Sequence, residues 1–390
     1  MRLSLHPPIP LNISSSQPKL KILILSTPVG ALGSGLGGGV ELTIANLARE
    51  LQSRGHQIDI IAPMGSELGD LSIVQIPGEL QLTAQTQENA ASIVMPGNPV
   101  LANMWAKARA IQADYDIIFN TAFDWLPFYL TPFLDVPIAH FVSMGSQIAA
   151  IDAAIECVAI DFPGTIGVCT RTQAETFSFA DLCCVVGGSG VDPAVYQYCD
   201  TPEDALAWLG RISPEKALED AVAAAERTGI RLKIMGKIQD LAYWAQIQRD
   251  YPHAPIEYLG FLPTHELQQA LRTCRGMLMT PRWIEAFGNV AIESLACGVP
   301  VIAYRRGGPA EIITDGKTGF LVEPDSVEGL VAAIDRLDEI DRADCRHAAE
   351  TVFSQSAWGD LMEGWFYRLV EPRNTTIEIV THDAKSTFVD

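Results

Sequence analysis

The sequence predicts an α/β protein with two domains, each built around a doubly wound parallel sheet. Its 390 residues exceed what one ordinary core holds, since domains usually contain roughly 100 to 200 residues. In both halves, short apolar runs alternate with amphipathic helical patterns, which is typical of parallel sheets. A glycine-rich turn at 187–190 separates the halves, so we place the domain boundary near Gly187.

The first half contains one complete βαβ unit and further predicted strands. Apolar runs at 21–25 and 57–61 flank a helical pattern over 40–54, and this order predicts strand, helix and strand. The further predicted strands cover residues 116–119, 136–141, 165–168 and 182–186. We therefore assign residues 19–186 to an N-terminal Rossmann-like domain. A flexible leader at 1–18, which lacks a secretory signal pattern, precedes it.

The second half repeats the alternation of strands and helices. Predicted strands cover 205–209, 231–235, 256–259, 276–279 and 301–304, and predicted helices cover 214–227, 265–272 and 289–297. This order again predicts a mostly parallel sheet, in a C-terminal Rossmann-like domain over 187–352. The aromatic-rich segment 353–371 predicts a helix that packs back against the first domain. Residues 372–390 show no packed pattern and predict a tail.

Charge and composition restrict the partners of the chain. The net charge is −20, from 27 Lys and Arg against 47 Asp and Glu, which gives no support to nucleic acid or anionic lipid as a partner. No apolar run approaches the roughly 18 residues of a membrane span. The eight cysteines form no CxxC pair, and most are interpreted as small buried residues in a reducing compartment. We therefore expect a cytoplasmic protein without strong membrane association.

A glycine cluster precedes the first predicted helix and allows three interpretations. Gly33, Gly35 and Gly38 satisfy GxGxxG, and Asp59 follows about 20 residues later, as in a dinucleotide-binding oxidoreductase. Against this, residues 26–32 separate the strand from the first glycine, and Asp59 lies within its strand rather than at its end. The second interpretation is that backbone N–H groups at the helix start face a diphosphate or an acceptor hydroxyl. The third is a plain surface loop.

Two cations occupy an unusual position in the second half. Arg211 follows a predicted strand, and Lys216 lies in the first turn of the predicted helix. Because a helix N-terminus already carries partial positive charge, it favours anions rather than cations. A bound diphosphate would resolve this conflict, while two solvated surface charges are the alternative.

Two glutamates bracket the start of the helix predicted over 289–297. Glu285 lies in a glycine-containing turn after a predicted strand, and Glu293 lies within the helix. A turn at the carboxyl edge of a sheet presents N–H groups and one carboxylate to a ligand, and a second carboxylate two turns on could reach ribose hydroxyls. Solvated glutamates are the alternative, although the apolar neighbours of Glu293 oppose free exposure.

Together these motifs resemble the GT-B glycosyltransferases of family 4, the retaining group 1 enzymes, over residues 21–370. The matching segments are 38–41, 54–56, 190–192, 210–216, 285–293, 296–301, 307–311 and 315–322. The resemblance implies the GT-B fold, in which two Rossmann-like domains face each other across a cleft. It also implies a retaining hexosyltransferase that takes a nucleotide sugar as donor and needs neither a metal nor a cofactor.

The resemblance implies a role for each matching residue. Arg211 and Lys216 would neutralise the departing diphosphate, and Glu285 would hold the donor sugar, so these three form the predicted catalytic set. The further donor contacts would come from Gly38, Gly39, Leu262, Ala286, Phe287, Gly288, Asn289 and Glu293. Among these, Glu293 would bind the ribose, Leu262 would lie against the base, and the two glycines would close the site from the first domain.

On the acceptor side, the histidine that many relatives carry is displaced. Relatives place it at the end of the strand predicted at 136–141, whereas here Ser143 lies near that place and His140 comes earlier. His140 and Ser143 are both candidates for acceptor contact, with a buried structural histidine as the alternative for His140. Asp124 follows the preceding strand and either contacts the acceptor or caps its loop.

An Asp-x-Asp pair is weighed as a metal site. Asp114 and Asp116 match the pattern that holds a divalent metal in another glycosyltransferase fold. Here the pair precedes its apolar run instead of following it, so we interpret it as a solvated strand entry. The seven histidines form no HExxH pattern. The sequence therefore predicts no metal site.

A narrower resemblance concerns the donor and the acceptor. Residues 26–41 resemble the cyanobacterial glucosyltransferases that transfer glucose from UDP-glucose to tetrahydrobiopterin. This implies UDP-glucose as donor and a small soluble pterin as acceptor, in agreement with the acidic chain. The alternatives stay open: another small-molecule or lipid acceptor, a dinucleotide-dependent oxidoreductase, a non-catalytic nucleotide-sugar-binding protein, or a UDP-sugar epimerase.

Overall fold

The computed structural model describes residues 17–35, 38–82 and 89–371. Within them the strands form two separate parallel sheets, one of seven strands and one of six. The two Rossmann-like domains predicted from the alternation of apolar runs and helical patterns are therefore confirmed. The predicted tail at 372–390, and residues 1–16 of the predicted leader, lie outside the described residues.

The N-terminal sheet reverses its strand order between its first and fourth strands. Its strands are β1 Lys21–Leu25, β2 Gln57–Pro63, β3 Ile73–Ile76, β4 Ile117–Asn120, β5 Ile138–Val142, β6 Ile166–Val168 and β7 Cys184–Val185. The spatial order is β3-β2-β1-β4-β5-β6-β7. Because the order reverses between β1 and β4, the loops after these two strands open on one crevice at the carboxyl edge.

Helices cover both faces of this sheet. They are α1 Gly39–Ser53, α2 Val100–Ile111, α3 Trp125–Leu130, α4 Ala149–Asp161 and α5 Arg171–Ala174. In α1, Ile44, Leu47 and Leu51 are completely buried, and their spacing puts them on one face of the helix. The central strands are buried throughout β4 and β5, as expected for a parallel sheet covered on both sides.

The C-terminal sheet repeats this topology. Its strands are β8 Ala205–Leu209, β9 Arg231–Met235, β10 Ile256–Gly260, β11 Gly276–Met279, β12 Val301–Tyr304 and β13 Gly319–Val322, in the order β10-β9-β8-β11-β12-β13. Its helices are α6 Leu218–Thr228, α7 Leu241–Asp250, α8 Thr264–Arg272, α9 Asn289–Ala296, α10 Pro309–Ile312, α11 Val327–Ile334 and α12 Arg342–Thr351. Here the order reverses between β8 and β11.

Several elements differ from the sequence prediction. The strands β3 and β13 were not predicted; both lie at sheet edges, where a strand needs a shorter apolar run. The strand predicted at 182–186 shortens to β7, after a 3₁₀ turn. The helix predicted over 214–227 is wrong as one element, because a 3₁₀ turn over Pro214–Lys216 precedes α6.

The last helix returns to the N-terminal domain, as predicted. This helix, α13, covers Gln355–Val370. Its Trp365 and Phe366 rings lie 6.5 and 5.5 Å from the ring of Phe119 on β4, and all three side chains are buried. Edge and tilted contacts of this kind are the favourable geometry for aromatic pairs. The helix therefore completes the core of the domain in which the chain began.

A buried polar cluster also fastens α13. Arg54, just after α1, places Nη1 at 2.9 Å from Glu363 and at 2.7 Å from Asp360. His56 accepts a hydrogen bond from the Leu20 amide at Nδ1 and lies 2.8 Å from Glu363 through Nε2. Although burial opposes ionisation, the hydrogen bonds from His56 and Arg54 lower the pKa of Glu363 below its ordinary range. The motif at 54–56 thus binds the returning helix.

The two connections between the domains run side by side. Val191 N donates to Phe353 O at 2.9 Å, and Gln355 N donates to Val191 O at 2.8 Å. A Cβ atom on Gly190 would lie 2.6 Å from the Cα atom of Gln355, so only glycine permits this approach. The outgoing and returning chain segments therefore form one paired joint.

Neither membrane spans nor disulfides occur in the part of the chain that the structure describes. None of its helices is both long and apolar enough to cross a bilayer. All eight cysteines are free, and four of them, Cys169, Cys274, Cys297 and Cys345, are buried. The sequence predicts that most of the cysteines are buried, and in the structure half of them are.

Candidate functional site

The carboxyl edges of the two sheets face each other. Gly39, the first residue of α1, lies so close to Asn289, the first residue of α9, that a Cβ atom on the glycine would be 3.0 Å from Asn289 Nδ2. Thr170 Oγ1, in the N-terminal domain, donates to the carbonyl oxygen of Ala286 at 2.8 Å. The predicted donor residues Gly38, Gly39, Ala286 and Asn289 therefore meet across one cleft. Ligands of open α/β sheets bind at such crevices.

The predicted cations and Glu285 flank the switch point of the C-terminal sheet. Arg211 and Lys216 lie on the loop after β8, and Glu285 lies on the loop after β11. The sequence places the three residues after strands but does not show which of them are in contact. In the structure, Lys216 and Glu285 form an ion pair. Arg211 precedes Lys216 on the same loop, so all three predicted catalytic residues lie at this switch point.

Trp283 completes this group, although sequence reasoning did not single it out. Its indole Nε1 donates to Glu285 Oε2 at 3.1 Å. The ammonium nitrogen of Lys216 lies 5.1 Å from the centroid of the indole ring, within the range of a cation–π contact. The side chains of Lys216 and Glu285 are 18% and 16% exposed. The cluster is therefore partly desolvated yet open to the cleft.

Ala217 has a backbone conformation that an alanine rarely adopts. Its φ and ψ are 45° and 53°, in the left-handed region, and this residue interrupts the helix predicted over 214–227. Thr280 Oγ1 lies 3.1 Å and 2.8 Å from the carbonyl oxygens of Lys216 and Ala217. Trp208 Nε1 donates to the same hydroxyl at 3.3 Å. Backbone strain held by such contacts is typical of functional sites, and here it fixes the direction of Lys216.

Arg211 lies in the wall of a cavity of about 400 Å³ next to this cluster. The cavity is lined by Arg211, Ser213, Pro214, Glu215, Gln239, Asp240 and Leu241. Arg211 donates to the Gln239 side chain and lies 3.3 Å from Glu215. Gln239 and Asp240 were not predicted as site residues, although their position after β9 at the same sheet edge is a signal that would have found them.

The remaining predicted donor residues lie around α9 and β10. Phe287 is buried, and Gly288 precedes α9 with a φ of 106°. Leu262 is half-buried and packs against the core just after β10. Glu293, one turn into α9, is half-buried, and burial raises the pKa of its carboxyl to about 7, against a hydrogen bond from Tyr196. The apolar neighbours of Glu293 thus limit its exposure, as expected, while its contact with ribose stays a prediction.

His140 is a core residue. It is completely buried, with Nδ1 3.2 Å from Asn120 Nδ2 and Nε2 2.9 Å from Thr131 Oγ1. Burial lowers the pKa of His140 to about 3, so the ring is neutral and both nitrogens are occupied within the protein. The candidate role in acceptor contact is therefore contradicted by this geometry, and the structural alternative describes the residue.

Asp124 and Ser143 lie at the carboxyl edge of the N-terminal sheet. Asp124 caps α3 by accepting from Leu126 N at 3.0 Å, and it accepts from Gln81 Nε2 at 3.2 Å. Burial raises the pKa of Asp124 despite these hydrogen bonds. Ser143 follows β5 and is half-buried. Asp124 therefore has the capping role given as its alternative, and acceptor contact by either residue stays a prediction.

The glycine cluster is held by an acidic side chain of α1. Glu41 Oε2 accepts from Gly33 N at 2.8 Å and from Gly35 N at 3.1 Å. Leu36 and Gly37, within the same cluster, lie outside the described residues. Asp59 lies inside β2 and accepts from the Tyr115 hydroxyl at 3.1 Å. A dinucleotide site would need this carboxylate at the end of the strand. The position of Asp59 therefore does not support the oxidoreductase alternative.

The Asp-x-Asp pair lies at the opposite sheet edge. Asp114 ends a 3₁₀ turn before β4, and Asp116 accepts from Lys21 N at 2.7 Å at the start of β1. Within the described ranges, no group of three or more His, Cys, Asp or Glu side chains is arranged to hold a metal ion. The pair thus serves as a strand entry, away from the cleft.

Two protein families match the two halves of the chain. Residues 200–352 match glycosyl transferases group 1, and residues 37–142 match glycosyltransferase family 4. Among solved structures, Anabaena HepE in complex with UDP and glucose has a TM-score of 0.71 at 17% identity, covering 90% of this chain and 100% of HepE. AviGT4, a glycosyltransferase involved in avilamycin A biosynthesis, has a TM-score of 0.68 at 19% identity, covering 90% and 98%. These likenesses confirm the GT-B fold.

Curated relatives include D-inositol 3-phosphate glycosyltransferases. That of Mycobacteroides abscessus is 33% identical over 174 residues, which are 40% of this chain and 38% of the relative. That of Stackebrandtia nassauensis is 25% identical over 90% of this chain and 92% of the relative. A sucrose synthase of Thermosynechococcus vestitus is 31% identical over 38% and 21%. The chain thus spans about two fifths of the mycobacterial relative that it matches and a fifth of the sucrose synthase.

Proposed function

We propose that this GT-B chain, in which a family 4 region precedes a group 1 region, is a retaining glycosyltransferase that transfers glucose from UDP-glucose to a small soluble acceptor. The observation that carries the proposal is that the Lys216–Glu285 ion pair, Arg211 on the same loop as Lys216, and the start of α9 lie at one switch point. A diphosphate is the ligand whose charge suits Arg211, Lys216 and a helix N-terminus together. The proposal retains the predicted donor roles of Leu262 and Glu293.

The proposed reaction is a front-face displacement. The bond between the anomeric carbon and the diphosphate oxygen breaks, and the acceptor oxygen bonds to that carbon on the same face. The acceptor proton passes to the leaving phosphate oxygen. Arg211 and Lys216 stabilise the charge that develops on the diphosphate, which is the role a metal ion has in other phosphate sites. The proposal therefore includes neither metal nor cofactor.

The resting state of the cleft supports a role for Glu285 in sugar binding rather than in proton removal. Lys216 neutralises this carboxylate, and Trp283 donates to one of its oxygens. An ionised carboxylate only accepts hydrogen bonds, so it suits the hydroxyl donors of a sugar. We assign Glu285 to the donor sugar on this ground.

The charge of the acceptor half favours an unphosphorylated acceptor, for which we propose tetrahydrobiopterin. The described loop segments 26–35, 77–82, 89–99, 121–124 and 143–148, which follow β1, β3, β4 and β5, contain neither Lys nor Arg. Phe123, Trp125 and Met144 instead contribute half-buried apolar surface there. A phosphate needs cationic partners, whereas a flat heterocycle packs on aromatic and thioether groups. The named substrate of the inositol phosphate relatives therefore suits this cleft less well.

The test is incubation of the protein with UDP-glucose and tetrahydrobiopterin in the presence of EDTA, with UDP release and pterin mass followed by liquid chromatography and mass spectrometry. A pterin heavier by one hexose supports donor and acceptor together. Inositol 3-phosphate serves as the comparison acceptor, and its preferential use would refute the proposed acceptor while keeping the transferase. Absence of UDP release with either acceptor, together with no binding of UDP-glucose in calorimetry, would refute the proposed donor.

Two matched variants test the assignment of the cations. Lys216→Ala should lower turnover by about 100- to 1000-fold, because a preorganised charge aimed at developing charge contributes about 3 to 4 kcal/mol. The control is Arg227→Ala, since Arg227 lies in the last turn of α6 and pairs, among the residues that the structure describes, only with the exposed Glu328. Equal activity of the two variants would refute the role of Lys216.

A further inference from the structure

We infer that Trp283 is a positioning residue, and that the Lys216–Glu285 ion pair is a resting state that the donor diphosphate opens and the donor sugar replaces. The inference rests on the proposed function. It concerns how the site distinguishes an intact nucleotide sugar from the nucleotide diphosphate left after transfer. Both ligands carry a diphosphate, so the phosphate-binding cations alone cannot separate them.

Lys216 has one ammonium group, for which two anions compete, the Glu285 carboxylate and the donor diphosphate. In the resting structure its Nζ bonds Glu285 Oε2, and the Trp283 ring covers it at 5.1 Å. A diphosphate bound between Arg211 and Lys216 draws the ammonium group away from Glu285. The cost of ligand binding therefore includes the loss of one partly desolvated ion pair.

The two carboxylate oxygens of Glu285 differ in their hydrogen-bond partners. Oε2 is bonded by both Lys216 and Trp283. Among the described residues, no side chain or backbone group hydrogen-bonds Oε1, so this oxygen can accept from a sugar hydroxyl. When Lys216 leaves, the Trp283 N–H is the remaining protein donor to the carboxylate and holds it in place.

The consequence is a difference between the two ligands. A nucleotide sugar removes Lys216 from Glu285 but supplies hydroxyl donors in its place. Free UDP removes Lys216 and supplies none, so the carboxylate is left with Trp283 alone. The ion pair therefore opposes binding of the product more than binding of the donor, and it favours UDP release after each turnover.

The experiment measures dissociation constants for UDP and UDP-glucose by calorimetry, with kcat and KM for UDP release, in the wild type and three variants. Glu285→Gln should tighten UDP binding about fivefold, because Lys216 loses its competing anion, while UDP-glucose gains nothing and kcat falls. Trp283→Phe keeps the ring face but removes the N–H. It should lower kcat about tenfold or more through misplacement of the sugar, with UDP affinity unchanged.

Trp244→Phe is the matched control. Trp244 is a nearly buried indole of the same domain that packs on Tyr258, 5.4 Å between ring centroids, and it should leave both affinities and kcat unchanged. Equal weakening of UDP and UDP-glucose by Glu285→Gln, or wild-type kcat in Trp283→Phe, would overturn the inference. A wild type that binds neither ligand would overturn the proposed function, and this inference with it.

Discussion

The cluster that fastens α13 leads to a quantitative prediction about two carboxylates on the same arginine. Arg54 bonds Glu363, whose side chain is 6% exposed, and Asp360, whose side chain is 66% exposed, at nearly equal distances of 2.9 and 2.7 Å. We compare Glu363→Gln with Asp360→Asn, since each change removes one charge and keeps the shape. Because the two ion pairs have similar distances, the main difference between the two variants is the burial of the carboxylate that is changed.

Burial decides the expected magnitudes. Loss of a buried charge-assisted bond costs about 2 kcal/mol, which corresponds to about a 30-fold change in an equilibrium constant. Glu363 also receives a hydrogen bond from His56, so the variant removes charge from two contacts. An exposed pair contributes about 0.5 kcal/mol or less, about a twofold change. We therefore expect α13 to open about 30 times more often in Glu363→Gln and about twice as often in Asp360→Asn.

The assay is hydrogen–deuterium exchange of peptides from residues 355–370, read by mass spectrometry at neutral pH. It reports opening of this helix alone, which matters because a two-domain chain does not unfold in one step. Peptides from α6 in the same samples are the internal control and should exchange as in the wild type. Similar protection in the two variants would refute the argument that burial, rather than distance, sets the strength of these pairs.

The pH dependence gives a second criterion. Because the folded pKa of Glu363 is lowered, its contribution is present above the unfolded value of about 4.3 and is lost as the pH falls through the folded value. The difference between wild type and Glu363→Gln should therefore persist from neutral pH to about pH 5 and disappear in more acidic solution. A constant difference down to the most acidic samples would show that the effect is not electrostatic.

Three further predictions concern single residues. Ala217→Gly should raise the thermal stability of the C-terminal domain by up to about 1 kcal/mol in calorimetry, because it removes a left-handed alanine, while UDP release slows as Lys216 loses its fixed direction. Glu293→Gln should weaken UDP binding and raise the unfolding temperature at pH 8, because the folded pKa near 7 favours the protonated acid; the gain should vanish below about pH 4. His140→Leu should cost about 2 to 3 kcal/mol of stability by leaving Asn120 and Thr131 without their partner, with UDP affinity in calorimetry unchanged.

Much of the fold could be predicted because buried parallel strands are continuous apolar runs. The strand predicted at 205–209 coincides with β8, whose five residues are all buried. The edge strand β3 is half-exposed along its length, so its sequence lacks that signal. The break at Ala217 also escaped prediction, because its sequence neighbours are ordinary helix formers. Its conformation is set by Thr280, 63 positions away in the chain.

The residues of the candidate site could be predicted from the sequence, but the contacts between them could not. Charge type and position after a strand were enough to select Arg211, Lys216 and Glu285. The sequence did not single out Trp283, because a lone tryptophan in a turn usually packs in a core. Its proposed role rests on two distances in the structure, from its Nε1 to Glu285 Oε2 and from its ring to Lys216 Nζ. For His140, by contrast, the residue type suggested contact with the acceptor. Its complete burial between Asn120 and Thr131 instead gives it a structural role.

Because of the paired joint at Val191 and Gln355, the C-terminal domain is an insertion between two neighbouring points of the N-terminal domain. The chain leaves the N-terminal domain and re-enters it at two points joined by backbone hydrogen bonds, so a linker of a few residues could close the gap after excision. The remaining chain would keep β1 to β7 together with α13, which supplies part of their core. C-terminal domains from other proteins of this architecture could be grafted at the same two points, so the two domains could be exchanged independently of each other.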